Sequence, residues 1–405
     1  MKDNQAKYPQ LRFKGFTDPW EQRKIGNYFT ERSERSSNGE LISVTINSGV
    51  VKASTLDRKD NSSKNKYNYK KVEIGDIAYN SMRMWQGASG YSPYSGILSP
   101  AYTVITSKDD VDSKFFAYQF KKHDMIQIFQ RNSQGLTSDT WNLKFPSLKS
   151  IKVAAPAFDE QKRIATFLEE FDHLITLHQR KLAKLKELKQ GYLQKLFPKN
   201  GSKFPQLRFA GFADAWEQRK LGELGSTFTG LTGKTKEDFG HGDAKFVTYM
   251  NVFQNAVASL EQLDSVEIDP KQNEVKKGDV FFTTSSETPE EVGMSSVWKY
   301  NYDNVYLNSF TFGYRPNIDF DLDYLAAMLR STTVRKKITF LAQGISRYNI
   351  SKTKMMDIEV PVPSLEEQAK IGAFLSNVEQ TITLHQRKLD LLKEQKKGFL
   401  QKMFV

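Results

Sequence analysis

Three short segments of this 405-residue chain carry residue types that could do covalent or metal chemistry. Thr229–Lys245 reads TGLTGKTKEDFGHGDAK, and Gly233–Lys234–Thr235 looks like the close of a phosphate loop, G-x-x-x-x-G-K-[ST]. Such a loop wraps backbone amides around phosphates and needs glycine at its first position. That position is Phe228, so no ATP site is expected. Glu160–Gln161–Lys162 is a Glu-x-Lys of the kind metal nucleases use, but its duplicate is Glu367–Gln368–Ala369, so the frame does not require the lysine. Asp18–Pro19–Trp20 touches the tetrapeptide with which amino-methyltransferases hold an exocyclic amine. The second copy reads Asp214–Ala215–Trp216, and neither Asn-Pro-Pro-[Phe/Tyr] nor a glycine-rich S-adenosylmethionine motif occurs. The five histidines are scattered without metal-ligand spacing. His178 and His385, both in TLHQRKL, read as packing or surface residues. No catalytic or metal residue is assigned.

What remains is contact chemistry. Lys52–Lys71 carries seven Lys or Arg against two Asp, a segment able to lie along phosphates through Lys64 and Lys66 with Tyr67 alongside. Ser81–Gly87 (SMRMWQG) offers Arg83 and Gln86, whose side chains can bond base edges in pairs. In the second half, Lys234 and Lys236 lie in the glycine-rich basic loop, and Arg347 and Tyr348 lie in ISRYN. Ordinary solvated surface charge is the competing reading for each. The whole chain is +12, which favours a polyanionic partner.

The elements that must hold these residues are written twice. YPQLRFKGFTDPWEQRKIGN (Tyr8–Asn27) returns as FPQLRFAGFADAWEQRKLGE (Phe204–Glu223), with 14 of 20 positions identical. Phe158–Phe197 returns as Leu365–Phe404, with 22 of 40 identical. The blocks between, Tyr28–Ala157 and Leu224–Ser364, barely match. Faint echoes remain: VEIGDIAY (Val72–Tyr79) against VKKGDVFF (Val275–Phe282), and QGLTSDTWN (Gln134–Asn142) against QGISRYN (Gln343–Asn349). Simple drift after duplication would spread change evenly; change concentrated in two blocks suits two readers of different targets on one frame.

Each constant block predicts one long helix. Apolar residues recur at steps of three and four, acidic residues open it and lysines crowd its later half. Ile164, Phe167, Phe171, Ile175, Leu182 and Leu185 form the seam of the first helix; Ile371, Phe374, Val378, Ile382, Leu389 and Leu392 form that of the second. Each stripe needs a partner, and a compact block between the two makes them antiparallel. Within the variable blocks, Ile42–Ile46, Ile77–Tyr79, Ala101–Ile105, Lys245–Tyr249, Val280–Thr284 and Thr311–Tyr314 read as strands. Phe115–Arg131 and Leu322–Leu341 read as helices. The expected class is α+β: two globular mixed α/β domains, over 1–157 and 201–364, joined by two long antiparallel coiled-coil helices, over 158–200 and 365–405, with pseudo-twofold symmetry.

Hydrophobic residues at 39% provide for real cores. The absence of cysteine excludes disulfides and thiolate zinc sites and fits a reducing cytoplasm. Neither a signal-peptide core nor a membrane span is expected.

This layout resembles the DNA-specificity subunits of type I restriction–modification systems over essentially the whole chain. The motifs are W-E-Q-R-K-[IL]-G (Trp20–Gly26, Trp216–Gly222), E-Q-x-[RK]-I (Glu160–Ile164, Glu367–Ile371) and P-[AS]-[FL]-[DE]-E-Q from Pro156 and Pro363. One departure is AAPAFDEQ in the first copy where VPVPSLEEQ stands in the second. The resemblance implies that each variable domain is a target-recognition domain for one half of a bipartite site in double-stranded DNA. It implies that the helix pair sets the gap and docks two modification subunits that methylate adenine, and that two restriction subunits join them. S-adenosylmethionine, ATP and Mg would belong to those partners, with no cofactor on this chain. The alternative is a non-enzymatic coiled-coil adaptor with two protein-binding heads.

Overall fold

A computed structural model of the chain describes residues 7–57, 62–63, 65–138, 140–199 and 201–405. The chain divides into two compact units, 1–179 with 388–405, and 180–387. Each takes one variable domain and parts of both long helices. Those helices run over Phe158–Lys195 and Leu365–Lys402, 38 residues each. The class is α+β, and the two units repeat one plan.

In the first unit, Glu21–Lys24 pairs antiparallel with Lys152–Ala155, closing the domain at its root. A four-stranded antiparallel sheet follows in the order Phe29–Glu31, Tyr102–Ser107, Ile77–Asn80, Ser89–Tyr91. In the second unit, Glu217–Lys220 pairs with Glu359–Val362. Its sheet runs Gly225–Thr229, Thr311–Pro316, Val280–Thr283, Ser295–Val297. Four of the six expected strands lie in these two sheets with slightly shifted ends; Ile42–Thr45 instead pairs with Gly49–Lys52, and Phe239–Val247 lies between Leu263–Val266 and Val305–Leu307. The largest shift is at Lys245–Tyr249. That strand runs Phe239–Val247, and Thr248 then caps a helix over Tyr249–Gln254, its hydroxyl accepting from Asn251 N.

The two expected domain helices are each broken once, at the same place. The first is Ser113–Gln119 and His123–Asn132; the second is Leu322–Leu329 and Thr332–Phe340. Asp112 and Asp321 cap the leading helices, and Ser331 caps the last. A basic residue stands at each break. Lys121 Nζ donates to the Ile46 and Gly87 carbonyls, and Arg330 to those of Val252, Phe253, Gln254 and Ser295. Ile46 and Gly87 follow a strand and a short helical turn, Val252–Gln254 end a helix and Ser295 opens a sheet strand, so each cation ties the break to the elements beside it. Burial pushes Lys121 down to about 8 and Arg330 down to about 10.

The two constant segments share a latch. Arg12 donates from Nε and Nη2 to the two carboxylate oxygens of Glu160, both at 2.7 Å, and from Nη2 to the Asp18 carbonyl. Arg208 does the same to Glu367, at 2.7 and 2.9 Å, and to the Asp214 carbonyl. The carboxylates are buried, at 2% exposure, and hold both guanidinium pKa values up. The next residue closes a second tie. Gln161 donates to the Pro156 carbonyl and accepts from Asp112 N; Gln368 donates to that of Pro363 and accepts from Asp321 N. Glu-Gln is thus the joint of helix and domain, with both Glu160 carboxylate oxygens accepting from Arg12. One difference separates the copies. Trp216 Nε1 donates to Glu367 at 3.0 Å, whereas Trp20 Nε1 is buried without an acceptor among the described residues.

Helix pairing is antiparallel within each unit. In the first, Phe167 and Phe171 pack on Phe399 with ring centroids 4.9 and 5.3 Å apart, and Lys396 bonds Asp172. In the second, Tyr192 packs on Phe374 at 4.8 Å and Lys189 pairs with Glu379. Of the seam residues, Ile164 and Ile371 are fully buried in the domain cores as well, and Leu182, Ile382, Leu389 and Leu392 are buried. Phe167, Phe171, Ile175, Leu185, Phe374 and Val378 are half-buried. The lead-in segments seat on helix ends: Leu11 N donates to Lys402 O and Leu207 N to Lys195 O, both at 2.9 Å.

Candidate nucleic-acid interface

The GD echo is scaffolding. Asp76 and Asp279 are buried at the start of equivalent strands, and each accepts two bonds from a guanidinium. The arginine comes from different places, Arg32 after the sheet's edge strand in one domain and Arg315 on the next strand in the other. Both aspartates also accept a backbone amide three residues earlier.

The QG echo marks a surface site. In each domain it is a closed loop, tied at its neck by two backbone bonds. Gln134 and Asn142 exchange theirs at 3.0 and 2.8 Å, Gln343 and Asn349 at 2.9 and 2.8 Å. The residue after the neck then binds the turn that follows the sheet strand: Leu143 N donates to Ser81 O, and Ile350 N to Thr284 O. The loop is therefore fixed against the turn that carries Arg83 and Gln86 in the first domain. In the second it lies against the Ser285–Ser286 strand, which pairs with Tyr348–Asn349.

Several of the contact residues expected from the sequence come together at these loops. Arg83 Nη1 donates to Gln86 Oε1 at 3.0 Å, and buried Met84 anchors the short helical turn between them. Trp85 stands beside them and meets Trp141 of the loop edge to face, with centroids 5.1 Å apart. Arg347 is exposed on the second loop, with Nε donating to Ser285 Oγ at 3.3 Å. Tyr348 is half-buried against the core and serves the loop's base.

Other candidates lie elsewhere. Tyr67 is exposed and, with Tyr69 and Tyr102, lines a cleft of about 860 Å³ in the first domain. Lys66 beside it is half-buried, and Lys64 lies outside the described residues. Lys236 is exposed on a short helical turn whose Thr235 and Asp238 cap one another. Lys234 is mostly covered and ion-paired with Asp269 at 3.2 Å. Gln272, Lys271 N and Lys234 hold that carboxyl down to about 2. The ion pair offsets the lysine's charge and ties Lys234 to its own domain's surface.

Sequence reasoning did not single out Trp85, Trp141, Leu136 or Ile345. Leu136 and Ile345 occupy the same place in Gln-Gly-[Leu/Ile]-[Thr/Ser] and are 101% and 96% exposed. The echo between otherwise unlike blocks was the signal that pointed to them. Among the described residues no group of His, Asp and Glu is placed to hold a metal, and no helix is long and apolar enough to cross a membrane.

Residues 17–187 and 213–394 match the family model described as type I restriction modification DNA specificity domain. The chain is similar to the type I restriction enzyme MjaVIII specificity subunit of Methanocaldococcus jannaschii, with 22% identity over 78% of this chain and 76% of that one. It is likewise 22% identical to the putative MjaX specificity subunit of the same organism, over 73% of this chain and 68% of that one. In fold it is similar to the crystal structure of a type I restriction-modification system S subunit from M. genitalium. That match has a TM-score of 0.61 and 16% identity, and covers 98% of this chain and 99% of the other.

Proposed function

The chain belongs to the type I restriction modification DNA specificity family, and on that premise we propose that its two domains each read one half of a bipartite site in double-stranded DNA, without catalysis of their own. The observation that carries this is one scaffold bearing two faces. Latch, root strand pair and four-stranded sheet recur in both units, while the loops on them present Arg83, Gln86 and Trp85 in one domain and Arg347 in the other. Arginine and glutamine forks suit base edges, and a shared frame with unlike side chains suits two different sequences.

The long helices serve as the spacer between half-sites and as the dock for two modification subunits. A straight helix of 38 residues is about 57 Å long, the rise of roughly 17 base pairs. S-adenosylmethionine, ATP and Mg act on the modification and restriction subunits, and this chain supplies the address.

The experiment is methylome sequencing of cells carrying the wild-type gene, or one with Tyr28–Ala157 exchanged for the block of another family member. One half-site changes and the other stays. If both halves change together, the domains are not separate readers. If no site depends on the gene, and the purified complex shows no salt-dependent affinity for duplex DNA, the DNA reading itself fails.

A further inference from the structure

The two recognition loops share a feature that base reading does not explain. From Asp112 to Gly135 and from Asp321 to Gly344 the domains run 24 residues each without a gap, yet few of these positions agree. The loop then differs in length by two residues. Even so, both loops place a glycine at positive φ, 149° at Gly135 and 144° at Gly344, directly before the tip. A side chain at either glycine would strike the loop's own backbone, 2.6 Å from Thr140 O in one and 2.0 Å from Arg347 O in the other. The glycine therefore fixes the turn, and the next residue, Leu136 or Ile345, stands out in water.

A branched aliphatic held in solvent by a dedicated turn, twice, is matched to an apolar target. A domain-specific base contact would not be the same in two domains that read different halves. Phosphates offer nothing to an alkyl group. The apolar part of a duplex that is present at every sequence is the stack between its base pairs. The surroundings favour DNA over a protein surface. The Arg83–Gln86 pair lies on the turn to which the first loop is bonded, and Arg347 follows Ile345 by two residues.

We propose that Leu136 and Ile345 are wedges that enter the base stack, one in each half-site, opening a step without choosing its bases. This rests on the reading of function above. The test uses the full chain, purified with its modification subunits. Its bipartite duplex carries 2-aminopurine at successive positions. Wild-type protein raises the fluorescence several-fold at one step in each half. Leu136→Ala abolishes the rise in the first half alone, Ile345→Ala in the second alone, and Leu136→Met keeps it. Each alanine variant binds about tenfold more weakly at both preferred and altered sites, with an unchanged melting temperature. A wild type that binds its site and leaves every step stacked overturns the wedge and spares the DNA reading. Variants that keep the fluorescence rise but lose the modification subunits in a pull-down also overturn it, and assign the tips to a protein contact. A wild type that binds no duplex sinks both.

Discussion

Replacing the latch carboxylates by their neutral isosteres should damage the two units unequally. Glu160→Gln removes the charge that faces Arg12, a guanidinium whose side chain is only 14% exposed. Breaking one partner of a buried pair costs about 3–5 kcal/mol, and the retained amide oxygen favours the low end, about 3 kcal/mol. Glu367→Gln removes the same charge from Arg208 and also weakens the acceptor of the Trp216 indole, worth about 1 kcal/mol more. For units of this size each kcal/mol lowers the melting temperature by about 2–4 °C, so the falls are about 6–12 °C and 8–16 °C. Hydrogen exchange assigns the loss to a unit, read from the root strands Lys152–Ala155 and Glu359–Val362. The difference is isolated by double-mutant cycles with Trp20→Phe and Trp216→Phe. Coupling near 1 kcal/mol is expected for Trp216 with Glu367 and near zero for Trp20 with Glu160. Equal couplings, or a Glu367→Gln no more costly than Glu160→Gln, refute the reasoning.

Lys236→Ala should lower the slope of log affinity against log salt by about one, whereas Lys234→Ala should loosen its loop through Asp269 and leave the slope nearly intact; titrations at several salt concentrations separate the two. Gly344→Ala should cost about 1–3 kcal/mol locally, because the new carbon meets Arg347 O, and should spare the first half-site in methylome sequencing. Lys121 is folded with a pKa of about 8, while an unfolded lysine titrates near about 10.4. Its penalty is full below the lower value and fades as pH rises toward the higher one, since there only the unfolded chain binds the proton. In thermal melts the wild type should therefore gain stability relative to Lys121→Met between about pH 8 and about pH 10; parallel profiles for the two proteins count against this.

The repeats, the long helices and the α+β class were legible because their signals are periodic and local. The helix breaks were not. Phe115–Arg131 and Leu322–Leu341 look continuous in apolar spacing, and the breaks rest on the contacts of Lys121 and Arg330 and, in the second domain, on the Ser331 cap. The latch was hidden for another reason. Arg12 and Glu160 lie 148 residues apart, and nothing in one predicts the other. The paired aspartates show the same limit, since Asp76 takes its arginine from just beyond the edge strand and Asp279 from within the next strand. Of the candidate contacts, Arg83 with Gln86, and Arg347, came to the loops, while Lys234 was claimed by an aspartate 35 residues away that no spacing rule would select.

The seats of Leu11 on Lys402 and of Leu207 on Lys195 are the same joint made in two ways. One is reached through the peptide run Pro198–Phe204; the other joins residues from opposite extremes of the numbering. A joint that the chain spans covalently in one unit is therefore held by backbone bonding between distant residues in the other. A permuted gene, opened near 201 and with Val405 bridged to Lys7 by a copy of the four residues 199–202, should yield a protein of unchanged sequence preference with the order of its domains reversed in the gene.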